Sequence, residues 1–170
     1  QATSSESTTV GARAILEKAG WKRNAETGIY EKKTKSSTAT LSFSISTGDA
    51  PELKRAASMV EETWEDLGAN VDVEIYETGD LNQSVIRPRK YDSLLFGEII
   101  GRSLDLFPFW HSSQRNDPGL NIALYVNNSA DKLLEQARTT TDEEGRNKKY
   151  AEFEEKIKED TPAVFLYSPS

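Results

Sequence analysis

The stretch from residue 38 to residue 75, TATLSFSISTGDAPELKRAASMVEETWEDLGANVDVEI, decides the fold. Its first part alternates, with Ala39, Leu41, Phe43 and Ile45 on one side and Thr40, Ser42 and Ser44 on the other. That two-residue period predicts a strand over 38–46 with one polar face. The pattern then changes. Asp49 is placed to cap a helix, Pro51 suits its first position, and Glu52 completes a capping box. Leu53, Ala56, Ala57, Val60, Trp64 and Leu67 follow on one stripe at helical spacing, and Gly68 stops the helix. Val71, Val73 and Ile75 alternate in a second strand. Strand, capped helix and strand in this order predict a βαβ unit with parallel strands and a right-handed crossover.

Working outward, Ala12, Ile15, Leu16 and Ala19 predict a helix from Thr9 to Ala19, closed by Gly20, with Trp21 folding back onto the core. Thr27-Gly28, inside the polar stretch Asn24 to Lys32, suits a hairpin turn. Downstream, a short helix over Leu81–Ile86 leads into a third strand over Tyr91–Phe96. Gly97 to Tyr125 carries glycine, proline, aromatic and small polar residues without a sustained period, which predicts a long structured loop. Helices follow over Ala130–Arg138 and Asp142–Glu159. The second has a capping box from Thr141 to Glu144 and an inner face of Tyr150, Phe153 and Ile157. Ala163 to Tyr167 reads as a strand.

A chain of 170 residues can bury one domain core. With 28 acidic and 21 basic residues the net charge is −7, which repels nucleic acid and anionic lipid. The basic run Arg87-Pro88-Arg89-Lys90 reads as a solvated turn. No segment approaches the roughly 20 apolar residues of a membrane helix. Cysteine is absent, so disulfides, thiolate nucleophiles and zinc–thiolate sites are excluded. Residues 1–8, mostly Ser, Thr and Glu, read as a flexible linker or a cut end, and the close of the chain after Tyr167 also looks cut. Residues 9–170 then form a single α/β lobe.

The chemistry-bearing residues are few. His111, the one histidine, lies between Trp110 and Ser112-Ser113, with no nucleophile elbow or acid partner at a recognisable place. No phosphate loop, dinucleotide-binding glycine pattern, EF-hand loop or paired-histidine metal motif is present. The reading is therefore of a protein that is not an enzyme and carries no cofactor or metal. Phe107, Phe109, Trp110 and Tyr125 are dense for a loop. They line a ligand pocket or cover the end of a sheet as core, and the residues fit both.

A set of ordered segments adds to this. They are Ala14-Ile-Leu-Glu-Lys-Ala-Gly-Trp21, the strand around Leu41 to Ser46, Leu67-Gly68 followed by Val71-Asp-Val73, and Tyr91-Asp92. Further on come Phe109-Trp-His-Ser-Ser113, Asn121 with Tyr125, Asp131 through Ala137, Arg146 with Tyr150, and Asp160-Thr-Pro-Ala-Val-Phe-Leu-Tyr167. In this order they resemble the C-terminal lobe of the bacterial family 5 extracellular solute-binding proteins. Those are the oligopeptide- and dipeptide-binding receptors of ABC importers. The resemblance covers nearly all of the chain after its first seven or so residues.

The resemblance implies one lobe of a type II periplasmic-binding-protein fold, an α/β domain with a mixed sheet flanked by helices. It implies a monomeric extracytoplasmic receptor, periplasmic or a cell-surface lipoprotein. Its partners would be an oligopeptide or small-molecule ligand, an N-terminal lobe of the same protein and a membrane permease. Alternatives are a lobe for a nickel complex or an oligosaccharide, or an isolated interaction or scaffold domain. A peptide would be held as an added β-strand along Phe96, Gly97, Glu98, Ile99, Ile100, Gly101 and Arg102, with Trp110, His111 and Asn121 at the cleft or bracing its wall. Where peptide-binding members carry an aspartate for the ligand's amino terminus, this sequence has Gly101-Arg102, and its nearest acids are Glu98 and Asp105. An arginine there favours an anionic group.

Overall fold

The structure, a computed structural model, describes residues 5–97 and 105–167. They gather into two compact units. One takes the described residues up to 85 together with 90–97, and the other takes 86–89 together with those from 105 onward.

The first unit opens with helix α1 (Ser5–Lys18), which begins four residues earlier than its apolar pattern suggests. Strands β1 (Lys22–Arg23), β2 (Tyr30–Lys33) and β3 (Thr38–Thr40) form an antiparallel sheet, with the hairpin at Thr27-Gly28 where the turn residues place it. The strand expected over 38–46 is in fact two strands in two sheets. β4 (Ser42–Gly48) lies at the centre of a parallel sheet between β5 (Asn70–Tyr76) and β6 (Ser93–Leu95). The break falls at Leu41. Its N–H donates to the Tyr30 carbonyl at 2.8 Å, while its carbonyl accepts from Asn70 N at 2.9 Å. Side-chain alternation runs unbroken through this point, so the sequence pattern does not mark it.

Helix α2 (Pro51–Leu67) joins β4 to β5, which gives the βαβ unit. Its cap differs from the expectation. The cap residue is Ala50, not Asp49, and no side chain caps the helix. Glu52 therefore sits at the second helical position, one short of the place a capping box needs. Pro51 lacks an N–H, which leaves one fewer orphan donor to satisfy. At the other end Gly68 takes φ 120, and its N–H reaches the Trp64 and Glu65 carbonyls. Arg13 of α1 adds a bond of 2.8 Å to the Asp66 carbonyl.

The core of this unit is Ile45, Ala69 and Val71, with Phe43 and Trp64 meeting edge-to-face at 5.0 Å. Each face of β4 buries a polar residue near the end of the strand. Ser46 and Thr47 are fully buried, and they donate to the Glu74 carboxylate (3.1 Å) and the Leu95 carbonyl (3.0 Å). Short β6 is held to β4 by side chains as well, since Ser93 Oγ donates to the Ser44 carbonyl and Ser44 N–H donates to Asp92. α1 seats incompletely. Ile15 stays 71% exposed beside an apolar recess of about 290 Å³ lined by Leu16, Phe43 and Trp64. A short helix α3 (Thr78–Asp80) continues as a π-helical turn over Leu81–Ile86, as the helix expected there.

In the second unit, the segment expected as a loop contains a short helix α4 (Phe107–Trp110) and a 3₁₀ turn over Ser112–Gln114. Helices α5 (Asn128–Thr139) and α6 (Glu143–Asp160) pack on each other through Ala130, Leu134, Phe153 and Ile157. Burying each large apolar side chain is worth roughly 1.5–3 kcal/mol. The pairs Lys156–Glu159 and Lys158–Glu155 lie in solvent, where water and salt screen them. Packing of the inner face therefore dominates. α6 is capped by Asp142, which accepts from Gly145 N–H, and not by Thr141.

Arg87–Lys90 forms the turn that the basic run suggests, with Arg87, Pro88 and Lys90 exposed, and both arginines are also tied to distant groups. Arg87 holds Asp117 with two bonds of 3.0 Å, and Arg89, at φ 58, donates to the carbonyls of Ile86, Arg115 and Gly119. Ala163 to Tyr167 is not a strand, because it pairs with no other strand among the described residues. Val164 and Phe165 are 72% and 76% exposed.

A Cβ at Gly68 would stand 2.8 Å from the Tyr30 ring and 3.0 Å from the Gly28 carbonyl, in a left-handed backbone. Gly68→Ala should cost about 2 kcal/mol or more in urea unfolding. Gly20→Ala, also left-handed but with Lys32 no closer than 3.7 Å, should cost about 1 kcal/mol. Equal losses would show that crowding against Tyr30 contributes nothing.

Candidate functional site

Parallel sheets present ligands at the carboxyl ends of their strands. β6 is an edge strand, and Phe96 and Gly97 continue from that end. Phe96 is 46% exposed, and a Cβ on Gly97 would meet nothing within 4 Å. Glu98, Ile99, Ile100, Gly101 and Arg102 lie outside the described residues.

Trp110, His111 and Asn121 belong to the second unit and are brought together there. Asn121 is fully buried. Its amide nitrogen donates to the carbonyls of Trp110 (3.2 Å), His111 (3.1 Å) and Tyr125 (3.0 Å), and its oxygen accepts from Tyr125 N–H (3.1 Å). The side chain is wholly enclosed and its nitrogen is engaged by three carbonyls, so Asn121 acts as a brace. It bonds main-chain groups of α4, the following turn and Tyr125 that have no ladder to join. Trp110 meets Tyr125 and Phe153 edge-on, at 6.2 and 6.3 Å, which makes much of the loop's aromatic cluster core.

His111 is 8% exposed and stacks on Phe107 at 4.0 Å, while the Arg138 guanidinium covers Phe107 at 4.0 Å. Its Nδ1 accepts from Ser113 N–H at 3.1 Å and lies 2.8 Å from Ser113 Oγ. Its Nε2 lies 3.4 Å from Glu135 and 3.9 Å from Asp131. Serine, imidazole and carboxylate are thus neighbours, but they do not form a nucleophilic relay. The nitrogen that would take the serine proton already accepts that residue's main-chain N–H. Asp131 is itself occupied, accepting from Ser112 N–H (2.9 Å) and Ser112 Oγ (2.6 Å). Among the described residues no group of His, Asp and Glu is placed to hold a metal.

Sequence reasoning missed several partners here. Asp105 is bound twice by Arg138 (2.7 and 3.0 Å) and accepts from Phe107 N–H. It is therefore committed within the fold. Tyr125 donates to Asp160 at 2.7 Å, and Asn127 does the same. The residues in these pairs lie 33 to 35 positions apart, beyond the reach of any local pattern.

Burial, and then the Asp160 carboxylate, push the Tyr125 phenol above its ordinary range. Hydrogen bonds from Tyr125 and then Asn127 hold Asp160 below the usual carboxylate range. A lowered carboxylate stabilises above its unfolded value, about pH 4, and a raised phenol stabilises below its own, about pH 10. The bond's contribution should thus be full between those limits and lost on the acid side as Asp160 protonates. The Tm difference between wild type and Tyr125→Phe should be larger at pH 7 than at pH 3. Equal differences would remove the carboxylate from the account. Separately, Asn121→Ala should cost roughly 2–4 kcal/mol in unfolding followed by tryptophan fluorescence, since it strands several buried main-chain groups. Asn121→Asp should cost more, because it turns a carboxylate towards three carbonyls.

No family model matches the chain. It is 32% identical over 161 residues to the oligopeptide-binding protein AppA of Bacillus subtilis (strain 168), which covers 94% of this chain and 29% of that protein. The solved structure of AppA from Bacillus subtilis, in complex with a nonapeptide, superposes with a TM-score of 0.85 at 31% identity, over 94% of this chain and 31% of that one. NikZ from Campylobacter jejuni, in complex with Ni(L-His), gives a TM-score of 0.76 at 28% identity, over 91% and 30%. The chain spans about a third of the length of these relatives. By sequence and by fold it is similar to about a third of an oligopeptide-binding protein.

Proposed function

We propose that this chain is a ligand-binding lobe of an extracytoplasmic receptor that captures oligopeptides and passes them, unchanged, to an ABC permease. The observation that carries the reading is its similarity, along 94% of its length, to a protein solved with a nonapeptide. A peptide strand would lie beside the segment from Phe96 to Arg102, where main-chain groups supply hydrogen bonds without regard to side chains. The exposed ring of Phe96 and the open space at Gly97 suit that approach. Asp105 is spent on Arg138, so the ligand's amino terminus would not be met by that acid. Arg102 would instead favour a carboxylate. Trp110 and Asn121 would support the wall without forming its surface, and a companion lobe would cover the ligand from the other side.

The matched relatives also include a protein solved with Ni(L-His), which makes a chelated metal complex the second ligand to test. One lobe offers half a cleft, so affinity should be no better than about millimolar. An amide NMR titration with tri- to pentapeptides should give saturable shifts at Phe96 to Arg102 and at Trp110. Shifts with a nickel–histidine complex but not with peptides would replace the ligand class. Hydrolysis of esters or peptides that is lost in His111→Ala would overturn the reading as a binding protein.

A further inference from the structure

His111 occupies a position that histidine seldom fills, as the cap of a helical turn. Its Nδ1 accepts the Ser113 N–H at the start of the 3₁₀ turn Ser112–Gln114. An imidazole nitrogen can accept only while it is unprotonated, which places the neutral ring's proton on Nε2. That nitrogen is buried and has no hydrogen-bond partner. It faces two carboxylates of α5, Glu135 at 3.4 Å and Asp131 at 3.9 Å. One ring nitrogen thus holds the turn, and the other points a donor at acid groups it does not quite reach.

We propose that His111 is a proton-operated switch on this turn. When the ring takes a second proton, Nδ1 becomes a donor and can no longer accept from Ser113 N–H. Ser113 Oγ, 2.8 Å away, is left to accept a hydrogen bond from the new Nδ1–H, and the main-chain cap is lost. The cation gains attraction from Glu135 and Asp131. The other charges around it are already engaged. Arg138 lies across the Phe107 ring and is paired with Asp105, and Arg115 donates to the Ser112 carbonyl. Histidine is the side chain whose charge ordinarily changes between about pH 5 and pH 8, a range in which carboxylates and guanidinium groups ordinarily keep theirs.

The turn is tied to the Asn121 brace at two points. The His111 carbonyl accepts from Asn121 Nδ2, and the Gln114 carbonyl accepts from Asn121 N–H. Uncapping the turn therefore loosens the wall around Trp110 and Asn121. The switch is a property of this unit, and it stands whether or not the ligand is a peptide.

Because the sequence holds one histidine, ring-nitrogen NMR of the unliganded chain reads it without ambiguity. At pH 8 the proton should sit on Nε2, with Nδ1 bare. As the pH falls from 8, the Ser113 amide should shift along the same curve as the ring, and its exchange protection should fall about tenfold, the loss of one hydrogen bond. In His111→Gln, whose side-chain oxygen can accept without titrating, the Ser113 amide should stay fixed over the same fall in pH. A neutral ring with its proton on Nδ1 would overturn the proposal. So would a Ser113 amide indifferent to ring protonation, or one that still titrates in His111→Gln. The first two readouts need wild-type protein alone, so a variant that fails to fold does not shelter the idea.

Discussion

The first unit depends on the main chain of one residue, Leu41. Its N–H serves the antiparallel sheet through Tyr30, and its carbonyl serves the parallel sheet through Asn70. A single chain position thus hands the backbone from one sheet to the other without leaving a buried group unpaired. Gly68 completes the arrangement. Its carbonyl accepts from Tyr30 N–H, and its missing side chain lets the fully enclosed Tyr30 ring lie against the end of α2. The parallel pairs on either side of β4 then follow from the register that these contacts impose.

In the second unit the corresponding role falls to side chains. Asn121 satisfies carbonyls on three residues and one N–H, and Arg89 satisfies three carbonyls in the neighbouring turns. This is a segment with little regular structure, where main-chain groups have no ladder to join. Amide and guanidinium groups stand in for the missing secondary structure. The consequence for function is that several residues with chemical potential are occupied by architecture. Asp105, Asp131 and Asn121 each hold the fold through bonds to main-chain or side-chain groups of the same unit.

Much of the fold was legible. The βαβ unit, the hairpin, the helix over Leu81–Ile86 and the inner face of α6 all lie where periodicity and turn residues place them. Each of these signals is carried by residues on the same element, within a few positions of one another. The ordered run of short motifs carried the resemblance to oligopeptide-binding proteins as well, although no single motif among them is specific. The candidate site was less legible. Trp110, His111 and Asn121 were singled out, but the brace at Asn121 and the cap at His111 are matters of which atoms meet.

The sequence by itself determined which segments could be strands and helices, because hydrophobic period and capping are local properties of the chain. It also excluded thiol chemistry and a membrane helix by composition. Only the tertiary structure decided where β3 ends and β4 begins, since alternation continues unchanged through Leu41 and hydrogen-bond partners alone divide it. It likewise decided that Ala163 to Tyr167, patterned like a strand, is none among the described residues. It decided too that Arg87 and Arg89 bind turns about 30 positions away. The reason is common to all three. A strand, a cradle or an ion pair exists only when a partner arrives from a distant part of the chain, and that arrival leaves no trace in neighbouring residues.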